Sequence, residues 1–383
     1  MDKWQPLAAA LDERRRASLY RQRKISSSPS SSEMIVGGEP CLCFCSNDYL
    51  GLATHPVLVR AFKKAADHYG VGSGAAHLIN GHSRAHHALE EELAEFTGRQ
   101  RALLFSTGYM ANLGVISMLC GRGESLYQDR LNHASLLDAG LLSRAKQQRY
   151  AHLNAQKLAI KCAANKPKMI VTDGVFSMDG DIAPLPELAK IAAQHDAWLM
   201  VDDAHGLGVL GNHGGGTLEY FGLDAQQVPI LMGTLGKGFG TFGAFVAGDE
   251  LLIEMLIQQA RSYIYTTAMP AAIAEASRSS LSIIQSESWR REKLQQLIRD
   301  FKAGAVQLGL PLMPSDTPIQ PLLIGESAKA TLISQQLLAQ GILVTAIRPP
   351  TVPEGSARLR ITLSANHTEQ QVVQLLDCLD GLL

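Results

Sequence analysis

The sequence predicts an α/β protein that has a mostly parallel sheet in a large domain and a smaller α+β domain at the C-terminus. From about Pro56 to Lys190, helical and strand patterns alternate with short connections, which is typical of a parallel sheet with helices on both faces. Several apolar strand patterns end in polar segments, and in such sheets the loops at the carboxyl ends of the strands carry the ligand site. After Pro270 the pattern changes to one long helical stretch followed by separated strands.

Three parts are expected along the chain: an N-terminal helix and arm in residues 1–45, a large domain in residues 46–285, and a small α+β domain in residues 286–383. The first part begins with an amphipathic helix from Leu7 to Arg23, and a flexible Ser/Pro-rich loop follows at Ser26–Ser32. Apolar runs and their periodicity predict the other elements, which are strand Cys41–Cys45, helix His86–Thr97, strands Ala102–Phe105, Met169–Thr172, Trp198–Val201 and Val228–Met232, the helical stretch Ala271–Gly309, and strands Ile319–Leu323, Ile342–Ala346 and Ala357–Leu363.

The composition argues against several classes of protein. The 383 residues carry a formal net charge of -1 with 19% charged residues, so no nucleic-acid partner is expected. No apolar run approaches membrane-spanning length, and the first residues lack the apolar core of a signal peptide, so no membrane partner is expected either. Six cysteines in a chain of this length do not indicate a disulfide scaffold, and we expect a cytoplasmic protein.

Cys41, Cys43 and Cys45 alternate along one predicted strand and therefore share a face. Their spacing allows a metal site, because thiolates bind zinc and related ions. Buried, reduced thiols are the better interpretation, since free cysteine is among the most buried residue types.

A single lysine, Lys237, lies between two glycines in the stretch Thr234–Gly240. Lysine normally lies on a solvated face, so this placement suggests that another group must approach its amine closely. A second apolar strand upstream ends in an acidic and histidine-containing segment, Asp202–His205. An acid, a histidine and a nucleophilic lysine at the ends of neighbouring strands can build an active site.

A further strand end, in the segment Phe105–Asn112, runs directly into a helix. The free backbone amides of Gly108 and Tyr109, together with Thr107, suit a phosphate group. The alternative is that Thr107 simply caps the helix.

Two more strand ends carry polar residues. In Asn132–Ser135, His133 can lie over a ligand, although a lone histidine is often structural. In Asp173–Asp181, Ser177 can donate a hydrogen bond, whereas the acids there can equally form turns.

Motifs of other enzyme classes do not fit. A P-loop would need Ser or Thr after Lys237 and a glycine at position 231, but Gly238 and Leu231 stand there. No Gly-x-Ser-x-Gly nucleophile elbow occurs. Gly70–Gly74 resembles part of a dinucleotide fingerprint but follows a helical pattern rather than a strand. A metal-dependent hydrolase is a remote alternative, with the possible ligands Asp202, Asp203, His205 and His133.

One cofactor, pyridoxal phosphate, accounts for these residues together. It needs a lysine that forms a Schiff base, an acid beside its ring nitrogen, and a phosphate cup. Asp202 can keep the ring nitrogen protonated, and His205 can reach the ring hydroxyl. The phosphate would be held by Thr107, Gly108, Tyr109 and Thr234.

The motifs resemble those of the α-oxoamine synthases, a branch of the PLP-dependent transferases of fold type I. The resemblance runs nearly end to end and rests on Asn47–Leu52, Phe105–Tyr109, Asn132–Ser135, Val201–Gly206 and Thr234–Gly238. Within the branch, the run Ala346–Pro353 followed by Ala357–Leu363 is the most discriminating feature.

The resemblance implies a role for each matching residue, and it implies no metal ligand. The implied catalytic residues are Lys237, His133, Asp202 and His205. The implied cofactor-binding residues are Gly108, Tyr109, Ser177, Asp202, His205, Thr234 and Lys237. The implied substrate-binding residues are Arg21, Asn47, His133, Thr351 and Arg360. Arg360, assisted by Asn47, would bind the amino-acid carboxylate, because a guanidinium matches a carboxylate with two hydrogen bonds. For Arg21 the alternative is a solvated helix face.

The implied activity is a decarboxylative condensation of L-alanine with a pimeloyl thioester, carried by CoA or acyl carrier protein. It would yield 8-amino-7-oxononanoate, CO2 and the free thiol carrier in biotin biosynthesis. The alternatives are a sister α-oxoamine synthase, such as 2-amino-3-ketobutyrate CoA ligase, and a non-catalytic subunit, which should lack the Schiff-base lysine. The resemblance also implies a homodimer, in which Thr266 and Thr267 reach the partner's phosphate. Asp173 and His82 stand where the family pattern often has glutamate and an aromatic residue.

Overall fold

A computed structural model describes residues 3–383 of the chain. These residues form two compact units. Unit 1 contains the described residues up to Tyr49, Met178–Asp181 and Glu292–Leu383, and unit 2 contains Leu50–Ser177 and Ile182–Arg291. The expected division at residues 45 and 285 stays a prediction.

The helices are α1 (Gln5–Arg16), α2 (Pro56–Tyr69), α3 (Arg84–Phe96), α4 (Gly108–Leu119), α5 (Ala134–Ser143), α6 (Ala155–Ala164), α7 (Leu185–Gln194), α8 (Gly216–Phe221), α9 (Glu250–Gln259), α10 (Arg261–Ile264), α11 (Ala271–Ser286), α12 (Trp289–Gln307), α13 (Ser327–Ala339) and α14 (Glu369–Asp380). The strands are β1 (Glu33–Val36), β2 (Glu39–Cys43), β3 (Arg101–Phe105), β4 (Ser125–Asp129), β5 (Lys146–Tyr150), β6 (Met169–Asp173), β7 (Trp198–Asp202), β8 (Ile230–Thr234), β9 (Ala244–Gly248), β10 (Ile319–Gly325), β11 (Ile342–Leu343), β12 (Thr345–Ile347) and β13 (Ala357–Thr362). A turn of π-helix spans His77–Gly81.

Unit 2 is built on a seven-stranded sheet with the order β3-β9-β8-β7-β6-β4-β5. The pairs β8–β7, β7–β6, β6–β4 and β4–β5 are parallel, and β9 runs antiparallel to both of its neighbours. The prediction of a mostly parallel sheet is therefore confirmed. Since β3 and β8 both oppose β9, the carboxyl end of β3 lies at the same edge as the carboxyl ends of the parallel strands.

The core of unit 2 explains why its central strands are almost entirely apolar. Every residue of β6 and β9 is buried, as expected for strands that are covered on both faces. Helix α4 packs its Ala111 and Val115 into the cluster that holds Met200 of β7 and Val246 of β9. This packing fixes the start of α4 relative to the strand ends.

Unit 1 contains two smaller sheets. The antiparallel sheet has the order β10-β13-β12, and the other sheet has the order β1-β2-β11, in which β2 and β11 are parallel. The single strand expected at Ile342–Ala346 is wrong, because residues 342–343 pair with β2 whereas Thr345–Ile347 pair with β13. None of the helices within residues 3–383 combines the length and the apolar character needed to cross a bilayer.

Two predicted helix boundaries also differ from the structure. The first helix ends at Arg16 instead of Arg23, because the backbone turns at Ser18, whose φ is 54°. The stretch expected as one helix over Ala271–Gly309 is two helices, which are interrupted at Glu287.

Candidate active site

The ends of three neighbouring strands bring polar side chains to one edge of the sheet in unit 2. β6 ends at Asp173, β7 ends at Asp202 and β8 ends at Thr234. In the parallel register Asp173 pairs with Asp202, and Asp202 pairs with Met232, two residues before Thr234. The residues that the sequence placed at separate strand ends are therefore neighbours.

Lys237 lies in the turn after β8, and its Nζ is 2.7 Å from Nε2 of His205, which follows β7. The glycine at position 238 has a local cause, since a Cβ there would lie 2.8 Å from the carbonyl oxygen of Leu207. The sequence suggested that another group approaches these glycines closely. At Gly238 that group is the backbone carbonyl of Leu207. The proximity of Lys237 and His205 gives the site an amine next to an imidazole.

Asp202 is buried and both of its carboxylate oxygens accept hydrogen bonds. Asn112 Nδ2 of α4 donates to Oδ2 over 2.7 Å, and the amide of Ala204 donates to Oδ1 over 3.1 Å. The same Asn112 Nδ2 lies 2.8 Å from Ser135 Oγ, which in turn lies 2.8 Å from His133 Nδ1. A continuous hydrogen-bonded chain therefore joins the Asp202 carboxylate to the His133 imidazole.

Asn112 and Ser135 are site residues that the sequence reasoning missed. Asn112 is fully buried in an otherwise apolar stretch of α4, and that isolated polar residue is the signal that could have revealed it. A buried amide must satisfy its hydrogen bonds within the protein, so it usually marks a polar partner.

His133 begins α5 and is held from two sides. Its Nδ1 accepts a hydrogen bond from the amide of Ser135, and its own amide donates to Asp173 Oδ2 over 2.7 Å. Desolvation, reinforced by the charge of Lys237 and opposed by Asp202, lowers the pKa of the His133 imidazole below its ordinary value. The lowered pKa favours the neutral form of the imidazole.

Asp173 is the second carboxyl group at this edge, and it is buried. Burial and the nearby charge of Asp202 hold the pKa of Asp173 well above its ordinary value. Asp173 therefore favours its protonated form and positions the backbone of His133, while Asp202 is the carboxylate that faces Asn112.

The N-terminus of α4 lies where β3 ends. Thr107 caps the helix, because its Oγ1 accepts a hydrogen bond from the amide of Met110 over 3.2 Å, so the capping alternative is confirmed. Gly108 and Tyr109 are the first residues of α4, and amides in a first helical turn have no carbonyl partner within the helix. The Tyr109 hydroxyl donates to Asp138 of α5. The cap uses the amide of Met110 and leaves the amides of Gly108 and Tyr109 at the helix end, where backbone amides suit an anion.

Thr234 is the last residue of β8, and Ser177 lies in the turn after β6. Thr234 Oγ1 donates to the carbonyl of Gly243 over 3.0 Å and accepts from the amide of Gly236 over 3.3 Å. Ser177 is half-buried in the turn after β6. Both hydroxyl groups lie on segments that follow strand ends of the same sheet edge.

Asp203, next to Asp202, is fully buried and has a different environment. Its Oδ2 accepts a hydrogen bond from the amide of Thr217 over 2.7 Å. Burial raises the pKa of Asp203 from 3.8 to about 7. Asp203 therefore holds a structural loop, in contrast to Asp202.

This raised pKa predicts a pH-dependent stability. The folded chain binds a proton at Asp203 that the unfolded chain releases near pH 3.8, so the free energy of unfolding falls as pH rises from there to about 7, by on the order of 1 kcal/mol per pH unit. Asp203→Asn removes this titration. Urea unfolding at about pH 5 and about pH 8 should show the variant gaining stability relative to the wild type at the higher pH. An identical pH dependence of the two proteins would contradict the assignment.

Unit 1 brings together the pair expected to bind an amino-acid carboxylate. Arg360 is buried in β13, and its Nη2 donates to Asn47 Oδ1 over 3.1 Å. The Tyr49 hydroxyl donates to the same oxygen over 3.1 Å. These two donors fix the side-chain amide of Asn47 beside the guanidinium.

Arg21 and Thr351 also meet within unit 1. Arg21 Nη2 donates to Thr351 Oγ1 over 3.4 Å, and both line a cavity of about 250 Å³ that Arg348 also lines. Arg21 lies beyond the end of α1, so the interpretation of it as part of a helix face is wrong. Burial and the charge of Arg21 lower the pKa of Arg348, whose guanidinium donates to the carbonyls of Ser18 and Tyr20. The cavity therefore has two cationic side chains suited to an anionic group.

The donor set of unit 2 fits pyridoxal phosphate. The Lys237 amine beside His205 matches the aldehyde and ring hydroxyl, and the buried Asp202 carboxylate matches a protonated ring nitrogen. The amides at the start of α4 match a phosphate. A zinc site matches less well, because both oxygens of Asp202 already accept hydrogen bonds from Asn112 and Ala204.

Comparisons with known proteins agree with this fit. Residues 39–379 match the family model described as Aminotransferase class I and II. The 8-amino-7-oxononanoate synthase of Cellvibrio japonicus is 63% identical over 381 residues, which cover 99% of this chain and 96% of that relative. The solved structure of the 8-amino-7-oxononanoate synthase of Francisella tularensis is 34% identical with a TM-score of 0.79, over 89% of this chain and 97% of that one.

A serine palmitoyltransferase from S. paucimobilis, solved with a bound PLP–myriocin aldimine, has a TM-score of 0.93 at 30% identity. It covers 99% of this chain, and this chain covers 97% of it. Fold, coverage and identity lead to one conclusion: the chain belongs to the class I and II aminotransferase family and, within it, to the 8-amino-7-oxononanoate synthases.

Proposed function

We propose that this chain uses pyridoxal phosphate to condense L-alanine with a pimeloyl thioester, releasing CO2 and the thiol carrier and forming 8-amino-7-oxononanoate. The observation that carries the proposal is the Lys237 amine held 2.7 Å from the His205 imidazole at the sheet edge that also presents the buried Asp202. The 63% identity to the Cellvibrio japonicus synthase supports the choice of substrates. The reaction would take place in the cytoplasm.

When bound, the cofactor supplies an aldehyde that reacts with amines and a ring that stabilises negative charge at the substrate Cα. Asp202 would hold the ring nitrogen proton, and Asn112 keeps its carboxylate oriented by the 2.7 Å hydrogen bond. His205 would bind the ring hydroxyl, and the neutral His133 would lie against the ring face. The phosphate would be bound by Ser177, Thr234 and the amides of Gly108 and Tyr109.

The Nζ of Lys237 would have two roles in the reaction. Its Nζ would hold the cofactor before substrate binds, and as a free amine it would remove the proton from the Cα of alanine. The neighbouring His205 Nε2 fixes the position of Nζ at 2.7 Å. After carbon–carbon bond formation and loss of CO2, the same amine would return the proton to Cα.

Substrate binding would fall to unit 1. The Arg360 guanidinium would bind the alanine carboxylate, with Asn47 as its hydrogen-bonding neighbour. Arg21, Arg348 and Thr351 would bind the acyl substrate, since the cavity they line is cationic and pimelate ends in a carboxylate. A homodimer is part of the proposal, with Thr266 and Thr267 supplied to the phosphate of the other subunit.

Arg360→Lys is expected to raise the KM for alanine about 10- to 100-fold, because a lysine cannot form the two-pronged bond, and a hydrogen bond between charged groups contributes about 1.5–3 kcal/mol. The turnover number should change much less. Steady-state kinetics with alanine as the varied substrate provide the measurement. Arg299→Lys, on the exposed side of α12, is the matched control and should keep the wild-type KM. An unchanged KM in Arg360→Lys would remove this residue from the substrate site.

The function itself is tested by assaying alanine, glycine and serine, each with pimeloyl-CoA, pimeloyl-acyl carrier protein and acetyl-CoA. Mass spectrometry of the products should find 8-amino-7-oxononanoate from alanine with at least one pimeloyl thioester. Faster turnover of glycine with acetyl-CoA would favour a 2-amino-3-ketobutyrate CoA ligase instead. The two pimeloyl carriers, compared by kcat/KM, identify the physiological thioester.

A further inference from the structure

A cluster of histidines lies at the start of α3 and in the turn before it, and none of its members is assigned to the cofactor. Within residues 3–383, two groups of three residues could hold a metal ion. In each group the possible ligand atoms, one from each residue, lie within 4.8 Å of one another, and both groups contain His82. One triad is His77, His82 and His86, and the other is His82, His87 and Glu90.

In the first triad, the ring nitrogens of His86 are already engaged in hydrogen bonds. His86 Nδ1 accepts from the amide of Ser83 over 3.0 Å, and His86 Nε2 lies 2.7 Å from the carbonyl oxygen of Met269, to which it donates. Both nitrogens of His86 are thereby used. His77 Nδ1 and His82 Nδ1 lie 3.0 Å apart and share one hydrogen bond.

In the second triad, the hydrogen bonds leave one ligating atom of His82 and one of Glu90 facing each other. In the tautomer in which His82 Nδ1 donates to His77 Nδ1, His82 presents the lone pair of Nε2, which lies 3.9 Å from Glu90 Oε2. Glu90 Oε1 accepts a hydrogen bond from the amide of Leu104 over 3.0 Å. The other nitrogen of His82 is thus hydrogen-bonded to His77, and the other oxygen of Glu90 is hydrogen-bonded to Leu104. Metal-binding histidines and carboxylates are usually oriented by such hydrogen bonds.

The distances suit a transition-metal ion. Zinc binds histidine nitrogen and carboxylate oxygen at about 2.0–2.2 Å with tetrahedral geometry, so two ligands of one ion lie about 3.3–3.6 Å apart. The 3.9 Å between His82 Nε2 and Glu90 Oε2 exceeds that separation by a few tenths of an ångström, a difference that small rotations of the two side chains would close. His87 supplies a second imidazole, and its side chain is 53% exposed, so water can reach a fourth coordination position.

We propose that His82 Nε2, the His87 imidazole and Glu90 Oε2 form a binding site for a divalent transition metal of the zinc type. Two imidazoles and one carboxylate are a ligand set that zinc takes in proteins. His77 is a positioning residue, which acts through the Nδ1 of His82. The ion would tie the turn before α3 to the first two turns of that helix.

Equilibrium dialysis of the holoenzyme against Zn²⁺ tests the site, with metal counted by elemental analysis. We expect one Zn²⁺ per chain, and at least about tenfold weaker binding in His82→Phe, His87→Asn and Glu90→Gln. His77→Asn should weaken binding about tenfold through the outer shell. His213→Asn is the matched control, because His213 also pairs with a carboxylate, Glu219, at 2.7 Å but belongs to neither triad.

Two further readouts keep the test decisive. His87 is exposed, so His87→Asn should fold normally, which circular dichroism checks against the wild type. Co²⁺ in place of Zn²⁺ should show no thiolate charge-transfer band, which excludes the cysteines of β2 as ligands. Wild-type binding of Zn²⁺ by both His82→Phe and His87→Asn, or no bound equivalent in the wild type, would overturn the proposal.

Discussion

Lys237→Ala is expected to lower the rate of 8-amino-7-oxononanoate formation by at least about 10⁴-fold, the largest effect of any single substitution in this chain. The variant loses both the amine that holds the cofactor and the base that moves the Cα proton. Asp202 and the amides at the start of α4 remain, so the cofactor should still bind without a covalent link. Product formation by mass spectrometry and cofactor content by dialysis measure the two properties separately.

Lys190→Ala is the control for this substitution, because Lys190 is an exposed lysine on α7. It should keep the wild-type rate. A small primary amine added to Lys237→Ala should restore part of the proton transfer, since the cavity left by the side chain can hold it. Normal turnover by Lys237→Ala would show that another residue is the base.

Asp202→Asn is expected to lower kcat by about 10³-fold, which is the scale of losing one preorganised electrostatic group. An amide has nearly the same shape as the carboxylate but carries no charge to retain the ring nitrogen proton. The side chain is buried, so solvent cannot replace that charge. Kinetics at saturating cofactor measure the effect on kcat apart from any loss of cofactor affinity.

The neighbouring carboxyl provides a matched control. Asp203→Asn should keep kcat within about tenfold at neutral pH, because Asp203 bonds the amide of Thr217 rather than Asn112. The pair therefore separates a catalytic charge from a structural one on adjacent residues. Equal losses in the two variants would contradict the distinction.

The sequence predicted the elements whose patterns are strong and local. The apolar strands that end at Asp173, Asp202 and Thr234 are buried on both faces, so their composition alone identifies them. Because parallel strands end at one edge, the same reasoning predicted that their terminal residues would meet. The polar strand β5, Lys146–Tyr150, was not predicted, since an edge strand needs no apolar run.

Contacts between distant segments were beyond the reach of sequence patterns. The bond from Asn112 to Asp202 joins residues 90 positions apart, and no spacing rule relates them. The split of Ile342–Ala346 between two sheets depends on pairing with β2 and β13, which periodicity cannot reveal. Arg348 lies in the run Ala346–Pro353 that the resemblance singled out. Only the cavity that Arg348 lines with Arg21 indicated that it could bind an anionic group.

We propose Lys237 as the residue to which the cofactor is bonded. Reduction of the holoenzyme with borohydride, followed by proteolysis and peptide mass mapping, tests it directly. We expect one modified peptide, which contains Lys237 and carries the mass of the reduced cofactor. A modification on another lysine, or an unmodified Lys237 in a protein that has lost its visible absorption, would contradict the account.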